Sequence, residues 1–477
     1  MSGNTTGAPT SSRLSRELFP AFRARPPGLG SGSTISLLDS EGAWTRDQLS
    51  ARTQALASQI SGSLRRSETA AVVAASSREG VALLLALSAV RQPMALIPAS
   101  MPESEQQDAW RQSGASVLLV PDCKEAPHIV AMANADATRS PSPPVGGLCL
   151  LQFTSGSTGR SRWAARTRRG IDAEMAAVQE RIALSAHDRV LCCSSIAHSY
   201  GLIGGLLAPL SIGATVALAA PAEAATLARE LGPTVIVGLA GTYENLLTHS
   251  HPEAWASEAR ICLSAGAPLP EGLPQRFAAE FGRRIRQDYG TTETGTIAID
   301  TDGDGLRQDV GTPLPHLEVR IHPIHDIPLE DGMEGEIQVR GETVAESYVI
   351  GEALEPCTDQ DGWYHTGDAG RLVNGRLHLG HRLRPALMWK NGNIRPERLE
   401  ALIAHMPGVG QVVALPSTVL GDIPGIKIVV ATRELCADEI RAWCGRHLPG
   451  SMQPDDIEVM AELPRSPAGK VLQKYLL

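Results

Sequence analysis

Leu151-Gln152-Phe153-Thr154-Ser155-Gly156-Ser157-Thr158-Gly159-Arg160-Ser161-Arg162 runs an apolar segment straight into six residues drawn only from Gly, Ser and Thr. Arginines follow at Arg160, Arg162, Arg166, Arg168 and Arg169. Glycines let a backbone approach an anion closely, and amides with hydroxyls can ring a polyphosphate. Ser/Gly runs are also common in plain surface loops. The apolar strand before this one and the cations after it favour phosphate binding. The Gly-x4-Gly-Lys-Ser/Thr spacing of a Walker A loop is absent.

Working outward, short apolar runs alternate with helical stretches. Strands are expected at 70–75, 94–98, 116–120, 189–193, 214–219, 234–238 and 261–264, with helices such as 81–90 and 103–112 between them. Repeated βα alternation of this kind predicts an α/β fold with largely parallel sheets covered by helices. From about Gly311 the texture changes to short alternating strands at 317–321, 336–340 and 376–379, a β-barrel-like section. The last stretch reads as a small α+β unit: helix 396–405, strands 411–415 and 427–432, helix 437–447.

The chain has 477 residues, a net charge of −9 and 43% hydrophobic residues, which is globular composition with ample material for a core. The acidic balance argues against nucleic acid, whose phosphates need a concentrated basic face. Residues 1–33, rich in Ser, Thr, Gly, Pro and Arg, read as a flexible leader without a signal-peptide pattern. Between residues 189 and 223 no charged side chain occurs, which is long enough to span a bilayer. His198, Pro209, Pro221 and paired Gly204-Gly205 favour a helix ending near Pro209 and then a buried strand, so no membrane span is expected. The eight cysteines are scattered, with no CxxC or Cys/His cluster, and predict reduced thiols in a cytoplasmic protein. Only five lysines occur, so each is informative.

Further segments follow in a fixed order: Asp288-Tyr289-Gly290-Thr291-Thr292-Glu293, Gly335-Glu336-Ile337-x-Val339-Arg340-Gly341, Trp363-Tyr364-x-Thr366-Gly367-Asp368, Arg382 with Asn393-Ile394-x-Pro396, and Pro464-x-Ser466-Pro467-x-Gly469-Lys470. With the Ser/Gly loop they resemble the motifs of the adenylate-forming superfamily, which holds acyl- and aryl-CoA synthetases, peptide-synthetase adenylation domains and luciferases. The resemblance covers residues 151–470. It implies a large N-terminal domain at 34–383, with two βα-layered lobes and the β section, and a small mobile C-terminal domain at 385–477.

The resemblance also implies roles. The loop Thr154, Ser155, Gly156, Ser157, Thr158, Gly159 with Arg162 would hold ATP phosphates. Tyr289, flanked by Asp288, Gly290 and Thr291, would offer a flat face to adenine beside Gly266, Ala267 and Pro268. Thr292 would donate to the α-phosphate, and Glu293 would help hold Mg2+, a hard cation that prefers oxygen ligands. Asp368 would accept from the ribose hydroxyls, reinforced by Arg382. Lys470 would stabilise charge as pyrophosphate leaves, and Arg384 would be the hinge. His198 lies at the family's His-x-x-Gly position beside the carboxylate; a satisfied core histidine is the equal alternative. Ser199, Tyr200 and Gly266 are candidates for the acyl pocket.

Three positions depart from the family. Ser161-Arg162-Trp163 replaces the usual Pro-Lys-Gly, Arg384 replaces Asp or Lys at the hinge, and the turn behind it reads Lys390-Asn391-Gly392. The implied reaction joins a carboxylic acid to AMP and then to a thiol, either of coenzyme A or of the phosphopantetheine of a separate acyl carrier protein. No acidic residue is near His198 in sequence, which favours an uncharged aryl or fatty tail. A stand-alone adenylating enzyme with a non-thiol acceptor, or a degenerate nucleotide-binding homologue, are the rival readings.

Overall fold

The computed structural model describes residues 34–65, 68–121, 128–131, 148–154, 162–249, 254–302, 309–323, 332–350, 353–383, 387–389, 392–394, 396–419, 423–448, 450–465, 471–472 and 475–476. The expected leader at 1–33 lies outside them. Two compact units are present: residues 1–320 with 338–366 and 372–378, and residues 321–337 with 367–371 and 379–477.

The first unit carries two large sheets. One has nine strands in the order Thr312–Pro313, Gly295–Ile299, Ile285–Thr291, Ile261–Ser264, Val235–Gly238, Arg189–Cys192, Thr215–Leu218, Ile35–Asp39, Gly42–Thr45. Its six central strands are parallel and its outer ones antiparallel. The eight-stranded sheet is built around parallel Ala70–Ala74, Met94–Pro98, Val117–Val120 and Leu148–Thr154, with antiparallel strands added at both sides. Strands buried on both faces, such as Ala70–Ala74, read as unbroken apolar runs for this reason.

Helices begin where side chains satisfy their free amides. Thr45 and Gln48 form a reciprocal cap on Arg46–Ser63, Ser77 caps Arg78–Ala89, and Thr167 caps Arg168–Arg181. The uncharged stretch is not a single helix ending at Pro209. Tyr200–Leu207 is a π-helix that passes into an α-helix Ala208–Ile212, and Pro209 lies in the first turn of the latter. The Ala208 amide donates to Ile203 O at the i→i+5 spacing, and proline, with no N–H, sits where the pattern changes. Gly205 permits the packing: a Cβ there would lie 2.3 Å from Cys192 Sγ. No helix among the described residues is long and apolar enough to cross a membrane.

Leu317–His322, Gly335–Gly341, Tyr364–Val373 and Arg376–Arg382 make a four-stranded sheet. In the second unit, Gln411–Val419 pairs antiparallel with Ile423–Ala431, which pairs in parallel with Asp456–Met460. The helices Pro396–Ile403 and Ala437–His447 pack onto that sheet through Leu399, Ile403, Ile428, Val430, Ile440 and Cys444.

Candidate active site

Four neighbouring parallel strands of the nine-stranded sheet, Arg189–Cys192, Val235–Gly238, Ile261–Ser264 and Ile285–Thr291, run in one direction, so their carboxyl ends share an edge. His198, Ser199 and Tyr200 follow the first of these strands. Gly266, Ala267 and Pro268 follow the third, exposed, with Gly266 in the left-handed region at φ +84°. Asp288, Tyr289, Gly290 and Thr291 end the fourth, and Thr292 and Glu293 make the turn into Gly295–Ile299. Open α/β sheets bind ligands at such an edge.

The turn is tightly bonded. Thr294 N donates to Thr291 Oγ1 at 3.2 Å, and Thr294 Oγ1 donates to Gly295 O at 2.8 Å. Glu293 is buried, and its Oε1 accepts from the Tyr348 hydroxyl at 2.8 Å. Tyr289 is also inward-facing, 8% exposed.

Thr154 ends the strand Leu148–Thr154 and Arg162 opens Arg162–Thr167, which pair antiparallel, so these two residues mark the base of the hydroxyl-rich loop. Ser155, Gly156, Ser157, Thr158 and Gly159 lie outside the described residues, as do Arg384 and Lys470. Trp163, at the position where the family has glycine, is buried and meets Phe153 edge-on with ring centres 5.3 Å apart.

A charged network inside the core ties these segments together. Arg166 Nη2 meets Glu174 Oε2 at 2.7 Å, both side chains being fully buried. Arg166 Nη1 donates to Ser199 Oγ at 3.0 Å, and Ser199 Oγ donates to Gln152 Oε1 at 2.6 Å. Glu174 Oε1 accepts from Thr296 N at 2.9 Å. Gly295 is required here: its φ is +68°, and a Cβ would sit 2.2 Å from Glu174 Oε2. None of Gln152, Arg166, Glu174 and Tyr348 is distinctive by motif, so the sequence offered only a weak signal: period-two alternation puts Arg162, Ala164 and Arg166 on one face of their strand.

Burial sets the electrostatics. It lowers the His198 pKa, keeping the imidazole neutral, and raises that of Asp288 well above the usual carboxylate range, with Glu174 adding to the effect. Asp288 lies near enough to Tyr200 to raise its phenol further, after burial. Asp288, remote from Tyr200 in sequence, therefore lies near it in the fold. Burial also pushes the thiols of Cys149 and Cys262 up to about 12, so they are inert.

In the second unit, Asp368 Oδ1 accepts from Arg382 Nη1 at 2.7 Å. The pair is anchored where Gly367 N donates to Glu336 Oε1 at 3.2 Å and Leu383 N donates to Gly367 O at 2.7 Å.

The model of the AMP-binding enzyme family matches residues 30–349. A sulfoacetate–CoA ligase of Cupriavidus necator is 30% identical over 389 residues, which cover 79% of this chain and 76% of that protein. The ATP-bound crystal structure of MatB from Rhodopseudomonas palustris superposes with a TM-score of 0.75 at 20% identity, covering 98% of each chain. The o-succinylbenzoate coenzyme A synthetase of Bacillus subtilis, in complex with ATP and a magnesium ion, gives 0.73 at 23% identity over 93% of this chain and 96% of that one. These two are likenesses of fold.

Proposed function

This chain belongs to the AMP-binding enzyme family of ATP-dependent acid–thiol ligases, and from that premise we propose that it adenylates an acid with an uncharged aryl or fatty tail and passes the acyl group to coenzyme A. The observation that carries the reading is the shared carboxyl edge of four parallel strands, which His198–Tyr200, Gly266–Pro268 and Thr291–Glu293 follow or end. The name of the Cupriavidus relative supports coenzyme A as acceptor over a carrier protein. Burial disfavours charge on both Asp288 and His198, which supports an uncharged tail, because an ammonium group would need an ionised carboxylate beside it.

In the first step a carboxylate oxygen attacks the α-phosphorus of ATP and the bond to pyrophosphate breaks. Thr154 and the following loop hold the phosphates, Thr292 donates to the α-phosphate, and Asp368 with Arg382 grips the ribose. Lys470 offsets the charge that develops on the attacking and leaving oxygens. In the second step the thiol sulfur attacks the acyl carbon, and AMP leaves with the bonding pair. Residues 385–477 act as the small domain, and rotation at Arg384 withdraws Lys470 between steps.

Glu293 fits Mg2+. It is a buried carboxylate at the end of the nucleotide segment, and no group of three or more His, Cys, Asp or Glu able to hold a metal occurs among the described residues. Mg2+ is commonly bound by one or two carboxylates together with substrate phosphates, without an all-protein cage. When bound, the ion would neutralise phosphate charge. Free thiols at Cys192, Cys193, Cys262 and Cys444, all buried, support a cytoplasmic home.

The test is acid-dependent ATP–pyrophosphate exchange over aryl, fatty and amino acids. We expect exchange with aryl or fatty acids. Lys470→Ala should abolish it while sparing thiolysis of supplied acyl-AMP; unchanged exchange removes Lys470 from the mechanism.

A further inference from the structure

The family's Pro-Lys-Gly is replaced here by Ser161-Arg162-Trp163, and the pairing of strands shows where the new side chains go. Ser347–Ile350 runs antiparallel to Arg162–Thr167, with Tyr348 opposite Ala164 and Val349 opposite Trp163. Alternation sends Trp163 to one face, where it is buried, and Arg162 to the other. Ala164 is small, so Tyr348 reaches diagonally past it to the residue two positions back. The Arg162 guanidinium lies 5.1 Å from the centre of the Tyr348 ring. A planar guanidinium suits this stacking better than a compact ammonium.

The other end of the same tyrosine is bonded to Glu293, at 2.8 Å. Tyr364 shares side-chain hydrogen bonds with both Tyr348 and Thr291, which closes a circuit from one end of the 291–293 turn to the other. We propose that Tyr348 is a positioning residue: it aims the Glu293 carboxylate at the metal–nucleotide site and couples it, through Arg162, to the base of the phosphate loop. The inference rests on the reading of Glu293 as the metal-binding carboxylate. The phenol holds Glu293 Oε1 and so restricts the orientation of the carboxylate. Groups that orient a metal ligand in this way are commonly worth 10–100-fold in metal affinity.

The test uses the full chain and calorimetric binding of ATP with Mg2+ and of ATP in EDTA, with Mn2+ as a paramagnetic probe of the metal alone. Tyr348→Phe keeps the ring and the stack and loses only the hydroxyl. We expect it to weaken Mg2+-ATP binding about tenfold, to broaden the Mn2+ environment, and to leave metal-free ATP binding and the thermal midpoint close to wild type. Arg162→Lys, which keeps a cation for the phosphates but loses the planar stack on the ring, should shift Mg2+-ATP binding in the same direction by about two- to fivefold. A purely structural tyrosine would lower the midpoint and weaken both forms of ATP alike. That result, or wild-type binding of Mg2+-ATP by both variants, overturns the proposal. A wild-type chain that binds nucleotide in neither titration overturns the reading of Glu293 itself.

Discussion

Two arginines anchor two regions of the first unit by opposite means. Arg166 sits with Glu174 in the dry core, one cation against one anion, both fully buried. Arg376, 21% exposed, takes three carboxylates: Asp309 at 2.6 Å and Asp300 at 2.8 Å, with Asp302 on the solvent side. Asp300 is also 3.6 Å from Arg286. In the first region no second cation pairs with Glu174 among the described residues; in the second the charges are redundant and partly wet. Removing one partner of a buried pair leaves an ion with neither water nor counter-charge, whereas a redundant cluster relaxes onto what remains. The first arrangement therefore fixes geometry at the cost of fragility. It joins the strand Leu148–Thr154, the Ser199 segment and the strand Gly295–Ile299 that follows Glu293.

The largest expected effect is for Arg166→Met, about 3–5 kcal/mol of stability lost, read by denaturant unfolding. Arg166→Met combined with Glu174→Gln should recover part of it, because the stranded anion is gone. Arg376→Met should cost less, about 1–2 kcal/mol, since Arg286 remains beside Asp300. Equal losses for the two arginines would erase the contrast drawn between dry and wet clusters.

The smallest effect concerns pH. Both ring nitrogens of His316 are buried without a hydrogen-bond partner. Burial lowers its pKa; Glu174 acts against this and Arg166 with it. The unfolded chain then takes up the proton first as pH falls, so stability is whole above about pH 6.5 and is lost below it. His316→Gln should be relatively more stable at pH 5.5 than at pH 8 when compared with wild type; a gap independent of pH would place no cost on protonating His316.

Much of the parallel architecture was readable in advance, because strands buried on both faces are short apolar runs. Met94–Pro98, Ile261–Ser264 and the helix Ala437–His447 lie where the pattern puts them. The strand Arg162–Thr167 was not foreseen: its arginines read as a basic cluster, although Ala164 and Ala165 are buried and Arg166 is neutralised by a partner eight residues on. The π-helix Tyr200–Leu207 escaped for a similar reason, since Gly205, one of the pair that reads as a breaker, is there to admit Cys192.

Periodicity thus specified the class of fold, and the ordered motifs carried the family resemblance, because both depend on neighbours in the chain. Which carboxylates are desolvated, which arginine is buried and which tyrosine holds Glu293 depend on groups brought together from distant segments. Desolvation and pairing energies exist only once those groups share a space without water, so no reading of spacing could assign them.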